Sequence, residues 1–518
     1  METQVLIIGG GITGTGLARD LALRGVQCVV VERADINAGA SGANHGLLHS
    51  GARYVANDPA AARECWEEGS ILKRVGAHCI EMTGGLFVAV EGDDERYIAD
   101  FPSMCGRCGI PVTEVEVKEA REIEPALSDR LIAAYKVEDA TIDPFKLSLE
   151  NIWQAQELGT VLLRNTRVVG FTVEHGRIVS VRTQDARTGQ ERQIRPLEVV
   201  NAAGAWSAQV AALAGVTIDM VYSKGTLLVT LSRVTRHVVN RLRRPSNADI
   251  LVPGGTVSLL GTTSVKVDSL DEIYPTVEEV DLIVREESAM VPELASTRYV
   301  RAYAGVRPLV GSQREGDARS LSRGFALLDH ERDGLLNFAT ITGGKFTTYR
   351  LMAEKAADLV CRRLGVSAPC RTRTQPLPSS PVCRWTETGR GPQEWIEKND
   401  PDDALLCECE MVPCSAVDTV VSALEKRGDL VDLVSIGLRS RIGKGPCQGT
   451  FCSLKIAGYL YDRGIVKKGE GIKGVREFLR ERWRGQHSIL WGTQLVQAEL
   501  QEALHCGVFC QELADLSE

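Results

Sequence analysis

Hydrophobic positions open the chain as one block. Gln4 to Ile8 (QVLII) is an apolar run, and Gly9-Gly10-Gly11 follows it. In the next stretch, ITGTGLARDLALRG, Ile12, Leu17, Leu21 and Leu23 recur at helical spacing, with small Gly16 and Ala18 among them. That stripe suits a helix lying closely on a sheet. Gly25 is placed to end it, and VQCVVVE reads as a buried strand of the parallel kind. Strand, helix and strand make a β-α-β unit, so the second strand is expected parallel to the first through a right-handed crossover.

The same punctuation returns twice. LEVVNAAGAWS (197–207) is an apolar strand entering a turn of small residues. GLLNFATITGGKFTTYRLMAEKAADLVCRRLG (334–365) is a strand, a Gly-Gly turn and a long helix whose N-terminus is expected at Gly343 to Thr347. After Gly365 the pattern breaks. Residues 366–395 are rich in Pro, Ser, Thr and Arg and read as a linker or wrapping segment, extended wherever proline bars a helix. Beyond it come LLCECEMVP (405–413), a helical AVDTVVSALEKRG (416–428) and SRIGKGPCQGTFCSLKIAGYLYDRG (440–464). The tail shows further helical patterns with Trp483, Leu490, Leu495 and Leu500, able to pack on the chain itself or on a partner.

The 518 residues, 44% hydrophobic and 25% charged, allow two to four domains with their own cores. A net charge of −8 gives no basic field for nucleic acid. The N-terminus has no basic segment with a long apolar stretch, and no run of eighteen apolar residues occurs, so a cytoplasmic chain is expected. Fifteen cysteines in such a chain are core thiols or metal ligands rather than disulfides. Cys105 and Cys108, with no flanking β-α-β unit, read as core thiols in a loop or short helix.

Gly9, Gly11 and Gly14 form G-x-G-x-x-G at the first strand-to-helix turn. The first glycine permits the turn, the second lets backbone approach a pyrophosphate, and the third lets helix and strand pack closely. Glu32 ends the second strand, where a carboxylate reaches ribose hydroxyls. This is a dinucleotide site. Its position at the N-terminus, the small-residue turn at 202–207 and the Gly343–Thr347 helix start favour FAD, whose reduced ring carries negative charge that helix N–H groups stabilise.

Cys407 and Cys409, two apart on an extended segment, are expected to face one side. Cys447 and Cys452 bracket a turn leading into a helix. Four thiolates suit zinc or an iron–sulfur cluster, and the tight C-x-C pair favours [2Fe–2S], with two irons to share the ligands. Cys414 falls outside the pattern and reads as a packed thiol.

HGLLHSGARY (45–54), RAYAGVRPLV (301–310), SRG (322–324) and TGGKFTTYR (342–350) resemble segments of the glycine-oxidase-like FAD oxidoreductases. Within them the chain is most similar to the FAD-dependent glycerol-3-phosphate dehydrogenases, specifically the large A-type subunit of the anaerobic bacterial enzymes. The resemblance runs nearly the whole length, and the C-x-C…C-x4-C segment looks like the [2Fe–2S] domain of bacterioferritin-associated ferredoxins. It implies a Rossmann-like α/β FAD-binding domain with an inserted antiparallel-sheet substrate domain (1–365), a linker (366–400), a small, mostly helical [2Fe–2S] domain (401–460) and a helical tail (461–518). The cofactor set is then Gly9, Gly11, Gly14, Glu32, Ser41, Gly204, Gly343, Gly344 and Thr347, and the cluster ligands are Cys407, Cys409, Cys447 and Cys452.

A glycerol phosphate is a small dianion that guanidinium forks suit. Arg53 and Arg307, in short glycine-containing turns, and Arg323 match the family's substrate positions, with Tyr54 beside them. His49 is the first choice of base for the alcohol proton, since its ordinary pKa lies near neutrality. Lys345 is the second, or a cation beside reduced flavin, and His45 is weaker. The resemblance further implies two partners, a companion B-type subunit and the C-type iron–sulfur subunit of the membrane, with quinone as final acceptor. It also implies FMN somewhere in the assembly and a peripheral place on the cytoplasmic face of the inner membrane. Two other readings share these features: a flavin dehydrogenase of an amino acid or 2-hydroxy acid, and a non-catalytic electron-transfer protein.

Overall fold

The computed structural model describes residues 1–311, 324–467 and 469–509. The strand Glu2–Ile8 is the axis of the first layer. It pairs in parallel with Cys28–Val31 on one side and Glu191–Asn201 on the other. Val161–Leu163 and Phe338–Gly343 extend the parallel sheet outward. The helix Ile12–Leu23 packs on it through Leu17 and Leu21, both fully buried, and Gly25 follows its end at φ +79°. Helices Pro144–Glu157 and Tyr349–Leu364 complete this core with Ile152, Met352 and Val360. The Rossmann-like reading holds.

The second layer is a larger sheet, mostly antiparallel, inserted into the first. Its spine is the pair Met220–Thr230 and Tyr299–Val310, in register from Met220 opposite Val310 to Val229 opposite Arg301, with a register shift before Thr230 opposite Tyr299. One position differs from expectation here. Arg307 lies inside that twelve-residue strand, not in a turn, because the glycines around it serve close approach rather than reversal. Cys105 lies in the helix Glu95–Arg107 and Cys108 caps it, both buried among Phe101, Ile110 and Tyr135.

The wrapping segment is pinned along its first half: Gln375 O accepts from Arg19 Nη2 at 2.7 Å, Leu377 N–H donates to Val75 O at 2.7 Å, and Ser380 N–H to Glu150 at 3.0 Å. Its second half is not extended. Arg390–Lys398 is a helix that tolerates Pro392 in its first turn, where no N–H partner is needed.

The C-terminal body gathers helices Cys414–Lys426, Leu433–Leu438, Cys452–Asp462 and Glu470–Trp483 around Val420, Ile436, Ile456 and Val475. It docks on the first layer through buried charges. Asp35 accepts from Arg164 at 2.6 Å and from Arg439 at 3.0 Å, and Arg427 covers the Trp153 ring at 3.8 Å. Burial alone would raise the Asp35 carboxyl, but Arg439 and Arg164 outweigh it and hold the group below its ordinary range. In the tail, Trp483 packs inward, while Leu495 and Leu500 are exposed. No helix among the described residues is long and apolar enough to cross a membrane.

Candidate active site

At the nucleotide end, backbone does the holding. Gly9 takes φ +116°, and a side chain there would come within 2.5 Å of the Ala202 carbonyl oxygen. A Cβ on Gly14 would collide with the Gly9 carbonyl, so helix and strand meet only through bare glycine. Gly11 stands at the helix N-cap without a capping side chain, and the Ile12 N–H donates to Ser41 Oγ at 3.0 Å. The turn presents N–H groups and a hydroxyl where a pyrophosphate is favoured. Glu32 accepts from the Gly10 and Ala34 N–H groups at 2.7 and 2.9 Å, while burial pushes its carboxyl above the usual range. Gly204, at φ +56°, offers its carbonyl to Thr342 Oγ1 at 3.1 Å, tying this end to the strand that leads to the Gly-Gly turn. These residues fit a dinucleotide.

At the other end, side chains converge. Gly343 and Gly344 take φ +79° and +71°, and a Cβ on Gly343 would stand 3.0 Å from Gly324 O and 3.8 Å from Pro308 O. The turn thus presses against the strand of Arg307. The long helix starts at Tyr349, later than expected, because one tight turn, Phe346–Thr348, comes first. The His49 N–H donates to Thr347 Oγ1 at 3.3 Å. His49 Nε2 lies 3.4 Å from the Tyr54 hydroxyl, and Lys345 Nζ sits 4.8 Å from the Tyr54 ring centre. His45 is a ring neighbour of His49 at 6.0 Å. Base, hydroxyl and cation share one place.

The three arginines fare differently. Arg53 is buried and bonded to Asp249 at 2.8 Å and to Ser246 O at 3.1 Å. Asp249 is itself fully buried and also takes Arg243, so part of the Arg53 charge is already compensated. Arg307 donates to Thr263 O at 3.1 Å, to Ser223 Oγ at 3.5 Å and to Thr262 Oγ1. Gly225 lies beneath its guanidinium, where a Cβ would come within 2.5 Å of Nη2, so that glycine lets the side chain lie flat on the sheet. Arg323 lies outside the described residues. Sequence reasoning missed Asp249, Ser223, Thr262 and Thr263, which reach these arginines only through sheet pairing and leave no local signal.

The four cysteines meet in the C-terminal body, though not as expected. The strand Leu405–Cys407 ends at Cys407, and Cys409 lies in the following turn, exposed. Cys407 hydrogen-bonds to Cys452, and Cys447 to both Cys409 and Cys452. The shared protons hold the Cys407 and Cys447 thiols low and push Cys409 and Cys452 up. Backbone N–H groups of Glu410 and Gly443 face the Cys407 sulfur, and those of Gly449 and Phe451 face Cys447. Among the described residues no three His, Cys, Asp or Glu side chains form a single-ion site. The sulfurs lie pairwise in contact instead. Such a donor set, with N–H groups aimed at negative sulfur, fits an iron–sulfur group.

A Rossmann layer with a nucleotide turn, a substrate sheet over it and redox-suited side chains at the junction define a flavin-linked oxidoreductase. The chain's residues 4–359 match the family model of FAD dependent oxidoreductases, and the chain belongs to that family. Along 98% of its length it is 43% identical to the A subunit of the anaerobic glycerol-3-phosphate dehydrogenase of Escherichia coli K12, covering 97% of that protein. It is 39% identical over 97% of its length to the A1 subunit of the anaerobic glycerol-3-phosphate dehydrogenase of Haloferax volcanii, covering 90% of it. Among solved structures it is similar to the glycerol-3-phosphate dehydrogenase from Bacillus halodurans complexed with FAD. That match has a TM-score of 0.63 and 22% identity, and covers 93% of this chain and 95% of that one; it speaks to the fold.

Proposed function

We infer that the chain oxidises sn-glycerol 3-phosphate to dihydroxyacetone phosphate as the flavin-bearing component of an anaerobic glycerol-3-phosphate dehydrogenase. The observation that carries the reading is the convergence of His49, Tyr54 and Lys345 on the Gly343–Thr347 turn, in a chain akin to those dehydrogenases over nearly its full length. Bound FAD supplies the two-electron acceptor that takes the hydride from carbon 2 of the substrate. Gly9, Gly11, Gly14, Ser41, Glu32 and Gly204 would hold its nucleotide, and Gly343, Gly344 and Thr347 would serve its ring.

His49 Nε2 receives the proton of the carbon 2 hydroxyl, with the Tyr54 hydroxyl fixing the imidazole. Loss of hydride and proton turns that carbinol carbon into the ketone. Lys345, beside the Tyr54 ring, would supply a positive charge to the reduced flavin, and Arg307, Arg323 and Arg53 would receive the phosphate. Arg307 has a preformed seat, since the Ser223 and Thr262 hydroxyls and the Thr263 carbonyl fix its guanidinium on the sheet.

Cys407, Cys409, Cys447 and Cys452 would hold a [2Fe–2S] cluster, whose chemistry is to carry electrons one at a time. Their outlet is the B-type and C-type partners and then quinone, with this chain at the cytoplasmic face of the inner membrane and any FMN elsewhere in the assembly. Residues 366–400 link the flavin body to the cluster domain 401–460 and the tail 461–518. The test is anaerobic reduction of the bound flavin by glycerol 3-phosphate beside proline, glycine and lactate, with iron and acid-labile sulfide assayed on the same sample. Bleaching by glycerol 3-phosphate alone supports the reading. Bleaching by an amino acid or lactate, or by none, overturns it.

A further inference from the structure

A cavity of about 650 Å³ lies between the flavin body and the C-terminal body. Its floor is the nucleotide loop, including Arg33, Gly42 and Ala43 on either side of Ser41, whose hydroxyl already accepts the first helix N–H. One wall is the strand Tyr299–Val310, which contributes Arg301. The facing wall comes from the C-terminal body and contributes Lys444 and Arg482.

Arg482 lies within electrostatic reach of both Arg301 and Lys444. Four carboxylates also line the cavity: Asp35, engaged by Arg164 and Arg439, Asp271 and Glu272, both exposed, with Asp271 acting on Arg33, and Glu481. Burial lowers the proton affinity of both Arg301 and Arg482, and the Arg301 charge adds to the effect on Arg482. The Nε of each lacks a hydrogen-bond partner among the described residues. Arg482 spends Nη2 on Gln448 Oε1 at 2.7 Å, a neutral acceptor. The carboxylate beside Arg301 is that of Glu481, at 3.5 Å, and it is 62% exposed. Lys444 sits 5.0 Å from the Phe145 ring centre. Burial pushes its amine down to about 7, and Arg441 and Arg482 add to the effect. The two carboxylates that oppose it are engaged elsewhere: Asp143 caps the helix Pro144–Glu157, and Glu410 is bonded to Arg441 at 2.7 Å.

Holding desolvated like charges together costs stability. Two planar forks and an ammonium around one cavity are a geometry suited to phosphate oxygens. We propose that this cavity is a diphosphate site, with Lys444, Arg482 and Arg301 as its donors, by which the C-terminal body closes over the nucleotide loop. The proposal rests on the flavoenzyme reading. The diphosphate is either that of the chain's own FAD, reached across the loop that bears Ser41, or that of a second nucleotide exchanging separately.

The test compares full-length wild type with Lys444→Gln/Arg482→Gln, and measures the FAD dissociation constant by flavin fluorescence on dilution. In parallel, inorganic pyrophosphate is titrated calorimetrically into the FAD-loaded protein. A tenfold or greater weakening of FAD in the variant, with no pyrophosphate heat from loaded wild type, assigns the donors to FAD. Unchanged FAD affinity, with saturable pyrophosphate binding that the variant loses, assigns them to a second nucleotide. Equal FAD affinity with equal or absent pyrophosphate binding in both proteins overturns the proposal. Lys444→Arg/Arg482→Lys keeps the charges and restores binding if charge is the cause. Should the double variant melt early, Lys444→Gln alone carries the same comparison. Wild type that takes up no FAD would instead break the flavoenzyme reading itself.

Discussion

The nucleotide turn and the cysteine loops present their polar groups by opposite means. Around Gly9–Gly14 the groups offered are backbone N–H donors, and specificity lies in what is missing: a single Cβ at Gly14 meets a carbonyl. In the C-terminal body the groups offered are side-chain sulfurs, three of them on loops or at helix starts, steadied by N–H groups behind them. Backbone sites tolerate almost no added atom but ignore side-chain chemistry. Sulfur sites tolerate shape changes and fail with one changed element.

The largest effect should separate the two directly. Gly14→Val forces backbone apart where overpacking costs about 3 kcal/mol or more, so flavin content should fall to background, read from the visible spectrum of purified protein. Cys447→Ser should do the reverse: iron and acid-labile sulfide are lost while FAD stays at one per chain. Loss of both cofactors from either variant would erase the contrast.

At the catalytic end, His49→Gln should lower kcat by roughly 10²- to 10⁴-fold, the usual contribution of a positioned base. The flavin reduction rate in single-turnover measurements should fall with it. Arg307→Ala should mainly raise KM, costing on the order of 2–5 kcal/mol when a desolvated charge pair is broken. An unchanged KM would remove Arg307 from the phosphate.

The seam between the regions gives an effect on stability, not on activity, and a pH dependence. Asp35→Asn takes the shared carboxylate from Arg164 and Arg439, leaving Asp429 at 3.4 Å from Arg164 and the Leu430 and Ser435 carbonyls, at a cost of about 3 kcal/mol. Because the Asp35 carboxyl is held below its unfolded value of about 3.9, its contribution is complete above that pH. It is lost as pH falls through the lower folded value. Thermal melts of wild type between pH 6 and 3 should approach those of Asp35→Asn at the acid end. Parallel curves at all pH values would contradict this.

Local patterns were sufficient for the parallel core. QVLII, the glycine turn and VQCVVVE carry their periodicity within one short window, and the spacing fixes where the bare backbone of Gly9, Gly11 and Gly14 and the carboxylate of Glu32 stand. The C-x-C…C-x4-C pattern likewise picked out four sulfurs that do meet, although the strand ends at Cys407 and not beyond it.

The sequence by itself determined which residue types stand at the glycine turn and in the cysteine cluster, because glycine turns and cysteine spacing are properties of neighbouring residues. Only the tertiary structure decided how the arginines are employed. Arg53 is committed to Asp249, 196 positions away, and Arg307 to Thr262 and Thr263 across a sheet. It alone brought Lys444 and Arg482 beside Arg301. Charge acts through space, and no local window of sequence contains the partner that balances it or fails to.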